Sequence, residues 1–239
     1  MESLAMKWQA LAPDETALAG PEHLDAAHVA GYDRKAAFDP TNDVWLLREK
    51  GLRDESTLID VSAGTGTLAL AAAPYCGRVI AVDVSPAMVA AIEAKAAERG
   101  LPNVDCVQAG FISYEHQGAQ ADFVYSRNAL HHLPDFWKAI ALARLNAMLR
   151  PGGILRLRDI VFAFELADAE KFITEWLDTG AERPEDGWTR AEFVTHLRKE
   201  HSTFNWLLEP MIESAGFEIE HADYGSRRIY AEYLCVKRR

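Results

Sequence analysis

From Thr57 onward the chain alternates short apolar runs with stretches whose apolar residues recur at helical spacing. Leu58-Ile59 leads to Asp60, and a turn of small residues with Gly64 and Gly66 then enters Leu68-Ala69-Leu70. The pattern predicts a strand over about 57–61 and a crossover helix over about 66–73, stopped by Pro74. Val79-Ile80-Ala81-Val82 predicts a second strand, closed by Asp83. A helix over about 86–99 follows, with Ser85 as N-cap, Pro86 at its first position and Val89, Ile92 and Ala96 on its inner stripe. A third strand is expected over about 104–108 and a fourth at Phe123-Val124-Tyr125. Next come a helix over about 135–149, a turn at Arg150-Pro151-Gly152-Gly153 and a fifth strand over 154–158. Repeated βα units of this kind imply a parallel sheet with helices on both faces.

The alternation then stops. Residues 160–205 hold two helical stretches. One, about 165–178, places Phe172, Ile173, Trp176 and Leu177 on one face. The other opens at Thr189, with Glu192 three places on as a capping box. This segment reads as a helical insertion over the ligand end of the sheet. A helix near 206–215 contains Pro210, and Gly216 ends it. Phe217–Tyr224 and Ile229–Val236, joined by Gly225-Ser226-Arg227-Arg228, read as an antiparallel hairpin. Before the repeat, Met6, Trp8 and Leu11 fit a short helix ending near Pro13. Glu22–Ala30 fits another before Gly31, then a polar stretch Tyr32-Asp33-Arg34-Lys35, and Asn42–Lys50 fits a third closed by Gly51. The expected organisation is a single domain over 1–239, with 1–50 as a helical cap.

Composition narrows the function. The 239 residues are 49% hydrophobic and 26% charged, ordinary for one globular domain with a full core. The net charge of −11 disfavours tight binding to nucleic acid, where phosphate neutralisation supplies most of the affinity. Cys76, Cys106 and Cys235 show no metal spacing and read as buried thiols in a reducing compartment. Neither a secretion signal nor a bilayer-length apolar run is seen, so a cytoplasmic protein is expected.

The glycine turn admits two cofactors. Gly64-Thr65-Gly66-Thr67-Leu68-Ala69 fits the dinucleotide pattern G-x-G-x-x-A, and Asp83 lies where a ribose-binding acid belongs. S-adenosylmethionine needs the same close backbone and the same acceptor. Asp60, directly before the turn, separates them: a carboxylate repels a pyrophosphate but suits an ammonium and a sulfonium. No Tyr-x-x-x-Lys pair for hydride chemistry is found, and the chain closes on a hairpin where a second βαβ half would begin.

With these motifs in order, the chain resembles the class I S-adenosylmethionine-dependent methyltransferases of the small-molecule branch, over about residues 40–160 and 206–239. The resemblance rests on Leu58–Gly66, Val82–Met88, Asp122–Leu133 and Leu149-Arg150-Pro151-Gly152-Gly153. It implies a seven-stranded Rossmann-like sheet in the order 3-2-1-4-5-7-6 with strand 7 antiparallel. It also implies S-adenosylmethionine as cofactor and S-adenosylhomocysteine as product. Asp60 and the Ser62–Gly66 backbone, with Gly64 and Gly66, would hold the methionine part. Asp83 would accept the ribose hydroxyls. Val84 and Met88 would pack on the adenine, with Gly110 and Phe111 at its edge, and Arg127 and Asn128 would offer backbone to the amino group. Two departures stand out: Ser62 replaces a common glycine, and Gly110 replaces a common aspartate.

Methyl transfer from a sulfonium is an in-line displacement that needs positioning and exclusion of water, with a base only for some acceptors. Hence no metal cluster is required. His131 and His132 leave strand four at the ligand end. His131 is the candidate base, against the reading that this is merely how the family leaves that strand. Tyr32 is a candidate lid over the cofactor. Arg127, Arg158 and Asp159 end strands four and five, where the arginines would bind an anionic substrate or simply pair with acids. The insertion's aromatics are either an acceptor wall or the insertion's own core. The acceptor is expected to be a small molecule, since no Asn-Pro-Pro-Tyr-like turn for a flipped base follows strand four. The alternatives are an NAD(P)-dependent oxidoreductase and a non-catalytic S-adenosylmethionine-binding protein.

Overall fold

A computed structural model describes residues 11–20 and 26–238. The helix expected at Met6–Leu11 lies mostly outside the described residues, as do Glu22–Asp25. Strands β1 (Thr57–Val61) and β2 (Arg78–Asp83) are buried almost throughout, as their unbroken apolar runs require of central parallel strands. β3 (Val104–Gln108) is half exposed and forms one edge. β4 (Ala121–Arg127), β5 (Leu149–Phe162), β6 (Phe217–Asp223) and β7 (Tyr230–Lys237) complete the order β3-β2-β1-β4-β5-β7-β6. β7 runs antiparallel to both its neighbours, and β1 to β5 pair in parallel. The sheet thus closes on the expected hairpin, without the second βαβ half on which a dinucleotide fold depends.

The helices divide between the two faces. α3 (Thr41–Glu49), α4 (Thr67–Ala72) and α5 (Pro86–Glu98) place Leu47, Leu68, Leu70, Ile92 and Ala96 in one core with Leu58 and Val79. α6 (Asp135–Met148) and α9 (Asn205–Ser214) place Leu142, Leu145, Leu208 and Ile212 in the other, with Ile59 and Val61. Adjacent residues of β1 feed opposite cores, as the two-residue period of a strand dictates. On α5, Met88 joins Ile92 and Ala96 on the buried stripe, and the Ser85 hydroxyl caps the helix by accepting from the Met88 N–H at 3.2 Å.

Three elements differ from the sequence expectation. The expected helix before Gly31 instead runs through it as α2 (Ala26–Ala36), so Tyr32, Asp33 and Lys35 are helical. The turn at 150–153 lies inside β5: Leu149 pairs with Ala121 and Ile154 with Phe123, so four residues loop out opposite one. β5 also runs on to Phe162, carried past 158 by pairing with β7 up to Ile160 opposite Tyr230. A two-residue strand, Thr203–Phe204, lies alongside its end. The insertion therefore begins after Phe162. Its helices α7 (Ala169–Leu177) and α8 (Arg190–Lys199) pack Trp176, Phe172 and Phe193 around the projecting end of β5. The Thr189–Glu192 capping box starts α8 as expected, and Pro210 sits within α9.

Candidate active site

The glycine turn lies at the C-terminal ends of β1 and β4, where open α/β sheets bind ligands. Its backbone is left-handed at Ser62 (φ 62°), Gly64 (φ 56°) and Gly66 (φ 80°). Only glycine takes this conformation without cost, so Ser62 carries strain. At Gly66 a Cβ would also meet two carbons of Ile92 at 3.0 Å, so this glycine sets how closely α4 and α5 pack. Asp83 braces the turn, accepting from the Gly64 N–H at 2.8 Å and the Ser85 N–H at 2.9 Å. Burial raises its carboxyl to about 6, against those two N–H groups. Asp60, 2% exposed, is raised further: burial takes it to about 8, with an Ala69 backbone bond opposing and Asp83 and Asp43 adding to the rise.

A cavity of about 380 Å³ opens from this turn to the insertion, within the range of small-ligand sites. Tyr32, Asp60, Ser62, Gly64, Arg127, Asn128 and His131 line it. Gly66, Asp83, Val84, Met88, Gly110, Phe111 and Arg158 do not. α2 lies over the turn: a Cβ at Gly64 would sit 3.6 Å from the Tyr32 ring, and Asp33 bonds the Thr65 hydroxyl and pairs with Lys95 at 2.5 Å. Burial, with Asp83 and Asp33 nearby, pushes the Tyr32 phenol up to about 12, so it stays neutral. From the same helix, Lys35 pairs with Glu192 and stands 4.5 Å from the Trp188 ring, which joins α2 to the insertion across the cavity.

Asn128 takes a left-handed turn (φ 51°) and donates its N–H to the Arg158 carbonyl at 2.7 Å. Arg158 is tied to Asn128, to Glu232 at 3.4 Å and to the face of Tyr230 at 4.3 Å. These partners engage the guanidinium, and Arg158 is absent from the residues lining the cavity, although Asn128 and Tyr230 are among them. Arg156, on the same strand face, pairs with Asp43 at 2.8 Å and with Glu232, while Asp43 also accepts from the Tyr125 hydroxyl at 2.9 Å. Arg127 stacks 4.0 Å over Phe38.

Beyond the β4 exit, His131 is 5% exposed. Its Nδ1 bonds Asp159 and its Nε2 lies 3.0 Å from Glu200, while His196 Nδ1 lies 2.6 Å from the same Glu200 oxygen. Burial disfavours a charged ring, but Asp159 and Glu200 together raise His131 to about 9. Burial likewise opposes the two carboxylates, yet the histidines hold both below their ordinary range. Trp176 stacks on Phe193 at 4.7 Å and meets His196 edge-on at 5.7 Å. Trp176, Trp188 and Phe193 line the cavity, so the insertion's aromatics serve as its core and as a wall at once.

Some of these residues escaped the sequence reading. Asp43 carries no local signal, because its buried partners lie on β4 and β5, far away in sequence. His196 and Glu200 stand four apart at the end of α8, a spacing that puts them on one helix face. Glu15, on the short helix α1 (Glu15–Leu18), accepts from the Ile112 and Ser113 N–H groups at 2.9 Å each. Its carboxylate fills the space that a side chain at Gly110 would take.

The sheet order, the left-handed glycine turn and the acids ending β1 and β2 define a class I methyltransferase fold. Residues 58–153 match the methyltransferase domain family. It is 33% identical over 110 residues to the uncharacterized methyltransferase YcgJ of Bacillus subtilis, covering 46% of this chain and 44% of that protein. It is 29% identical over 182 residues to the ribosomal protein L11 methyltransferase of Symbiobacterium thermophilum, covering 76% of this chain and 56% of that protein. The chain thus spans about half the length of these curated relatives. Among solved structures, the magnesium protoporphyrin IX methyltransferase of Synechocystis, with S-adenosylmethionine bound, superposes with a TM-score of 0.63. That match is 16% identical and covers 95% of this chain and 99% of that one, a likeness of fold. Among the described residues no helix is long and apolar enough to cross a membrane.

Proposed function

We propose that the protein transfers a methyl group from S-adenosylmethionine to a small-molecule acceptor. One observation carries this reading: Asp60, a buried carboxyl beside the glycine turn, lines the same cavity as the aromatic wall of the insertion. A buried acid without a cationic partner is costly, and a ligand bearing an ammonium and a sulfonium relieves that cost. In this reading Asp60 and the Ser62–Gly66 backbone hold the methionine part, with Arg127 and Asn128 offering backbone to its amino group. Asp83 takes the ribose hydroxyls: each of its oxygens has accepted one backbone N–H and keeps a lone pair. Val84, Met88, Gly110 and Phe111 form the adenine side, which Glu15 and α1 cover.

The acceptor occupies the part of the cavity lined by Tyr32, Trp176, Trp188 and Phe193 together with Arg127 and His131. These rings favour a flat or partly apolar molecule presenting one heteroatom to the polar side. Both ring nitrogens of His131 are engaged, one by Asp159 and one beside Glu200, so in this reading it positions the acceptor and does not serve as a free base. The experiment is methyl transfer from isotope-labelled S-adenosylmethionine to a panel of small aromatic and heterocyclic acceptors, read as label in the product. Transfer to at least one supports the reading. Cofactor binding without turnover on any of them favours a non-catalytic binding protein.

A further inference from the structure

The group formed by His131, His196 and Glu200 has more organisation than acceptor positioning requires. It draws on two distant parts of the chain, the exit of β4 and the end of α8. The two ring nitrogens and the carboxylate oxygen lie within 4.8 Å of one another on the cavity wall. The outward nitrogen of each ring is engaged. His131 Nδ1 bonds Asp159, which also accepts from the His131 N–H at 3.0 Å and the Ile160 N–H at 2.7 Å. His196 Nε2 lies 2.7 Å from the Ser202 hydroxyl. Histidines that ligate a metal are oriented in this way, by a carboxylate or hydroxyl on the nitrogen that faces away from the ion.

The third donor is anchored as well. The His201 N–H donates to the His131 carbonyl at 2.9 Å, and the ammonium of buried Lys138 donates to the His201 carbonyl while pairing with Asp135 at 2.7 Å. Glu200 is thereby held between the two imidazoles. Trp176 backs His196 on the protein side, so the uncovered direction is the cavity.

We propose that His131, His196 and Glu200 bind one divalent first-row transition ion, with Asp159 and Ser202 orienting the rings and an open coordination position facing the cavity. Two imidazoles and one carboxylate select such an ion over magnesium or calcium, which take oxygen ligands, and zinc is the best match to the donors. The two buried carboxylates, Asp159 and Glu200, favour a cation there. The role of the ion rests on the methyl transfer proposed above. It binds the acceptor heteroatom and eases loss of its proton to solvent. The heteroatom's electron pair then forms the bond to the methyl carbon, and the carbon–sulfur bond breaks with its pair going to sulfur. No side chain has to serve as base.

The test is binding of the metal itself. The full chain, stripped with chelator, is titrated with Zn²⁺ in competition with a chromophoric chelator, and Co²⁺ is followed by its visible absorption. The proposal predicts one equivalent of Zn²⁺ and a Co²⁺ spectrum of low coordination number. Affinity falls at least a hundredfold in His196→Ala and Glu200→Gln. Ser202→Ala, a smaller change that spares the fold, loses about tenfold. Thermal unfolding of the wild-type chain rises with Zn²⁺, and that of the two ligand variants does not. No stoichiometric binding by the wild-type chain, or equal affinity in all the variants, overturns the site. S-adenosylmethionine binding without metal binding would refute the metal and leave the methyltransferase reading standing. Metal binding without methyl transfer would do the reverse.

Discussion

Asp60 makes the cofactor proposal quantitative. Its carboxyl is raised to about 8 by burial, so in the empty protein at neutral pH most molecules carry it protonated. A cationic ligand requires the ionised form, so binding at neutral pH must expel a proton. For a group titrating near 8, the ionised fraction is about one in a hundred at pH 6 and about one half at pH 8. Affinity for S-adenosylhomocysteine, whose charge beside Asp60 is the ammonium, is then expected to rise about fiftyfold over that interval. Calorimetry in two buffers of different protonation enthalpy reads both the affinity and the proton released. Asp60→Asn should abolish the slope and bind about as weakly as the wild-type chain at pH 6. The stability of the empty protein has the opposite sign. The folded acid holds its proton more tightly than the unfolded one, so its contribution is greatest below about pH 4 and is lost as pH rises towards 8, by on the order of 5 kcal/mol. Asp60→Asn should therefore flatten the denaturant-unfolding profile across that window. An affinity that is flat or falls with pH, or an equal slope in the variant, would refute the reasoning.

Other expectations follow from the same geometry. Ser62→Gly should relieve the left-handed strain and stabilise the chain by about 1 kcal/mol in denaturant unfolding, with cofactor affinity unchanged or better. Asp43→Ala leaves buried Arg156 with Glu232 alone and strips the Tyr125 hydroxyl of its acceptor. It should cost about 3 kcal/mol, read as a lower denaturation midpoint. Glu15→Ala exposes the Ile112 and Ser113 N–H groups and should cost about 1–2 kcal/mol, with faster amide exchange confined to residues 110–113. Lys35→Ala removes the joint between α2 and α8. It should raise the acceptor KM with little change in kcat, measured on any acceptor found.

The frame of this fold was legible because its signals are local. Apolar runs, the Ser85-Pro86 cap, the Thr189–Glu192 capping box and the four-residue hairpin link each depend on neighbours in sequence, and each element stands where they indicate. The misplacements arise where tertiary contacts override local chemistry. Gly31 does not end a helix, because α2 packs across the glycine turn through Tyr32 and Asp33. Arg150–Gly153 is not a turn ahead of the strand, because Leu149 already pairs with Ala121 and β4 resumes pairing at Ile154. The candidate site divides in the same way. Asp60, Ser62 and Gly64, which the motif names together, all line the cavity, since one loop carries them. Arg158, which the sequence leaves between an anionic substrate and pairing with acids, is held by Glu232, Asn128 and Tyr230, all from other segments. Glu200 and His196 gave no motif with His131, because the insertion brings them together across more than sixty residues of chain.

Calorimetric titration of the full chain with S-adenosylmethionine at pH 8, beside Asp83→Ala, tests the central claim most directly. The account predicts one binding site in the wild-type chain, and a variant that folds with the same thermal transition but has lost the affinity. No heat of binding at millimolar ligand, or an unchanged affinity in Asp83→Ala, would contradict it.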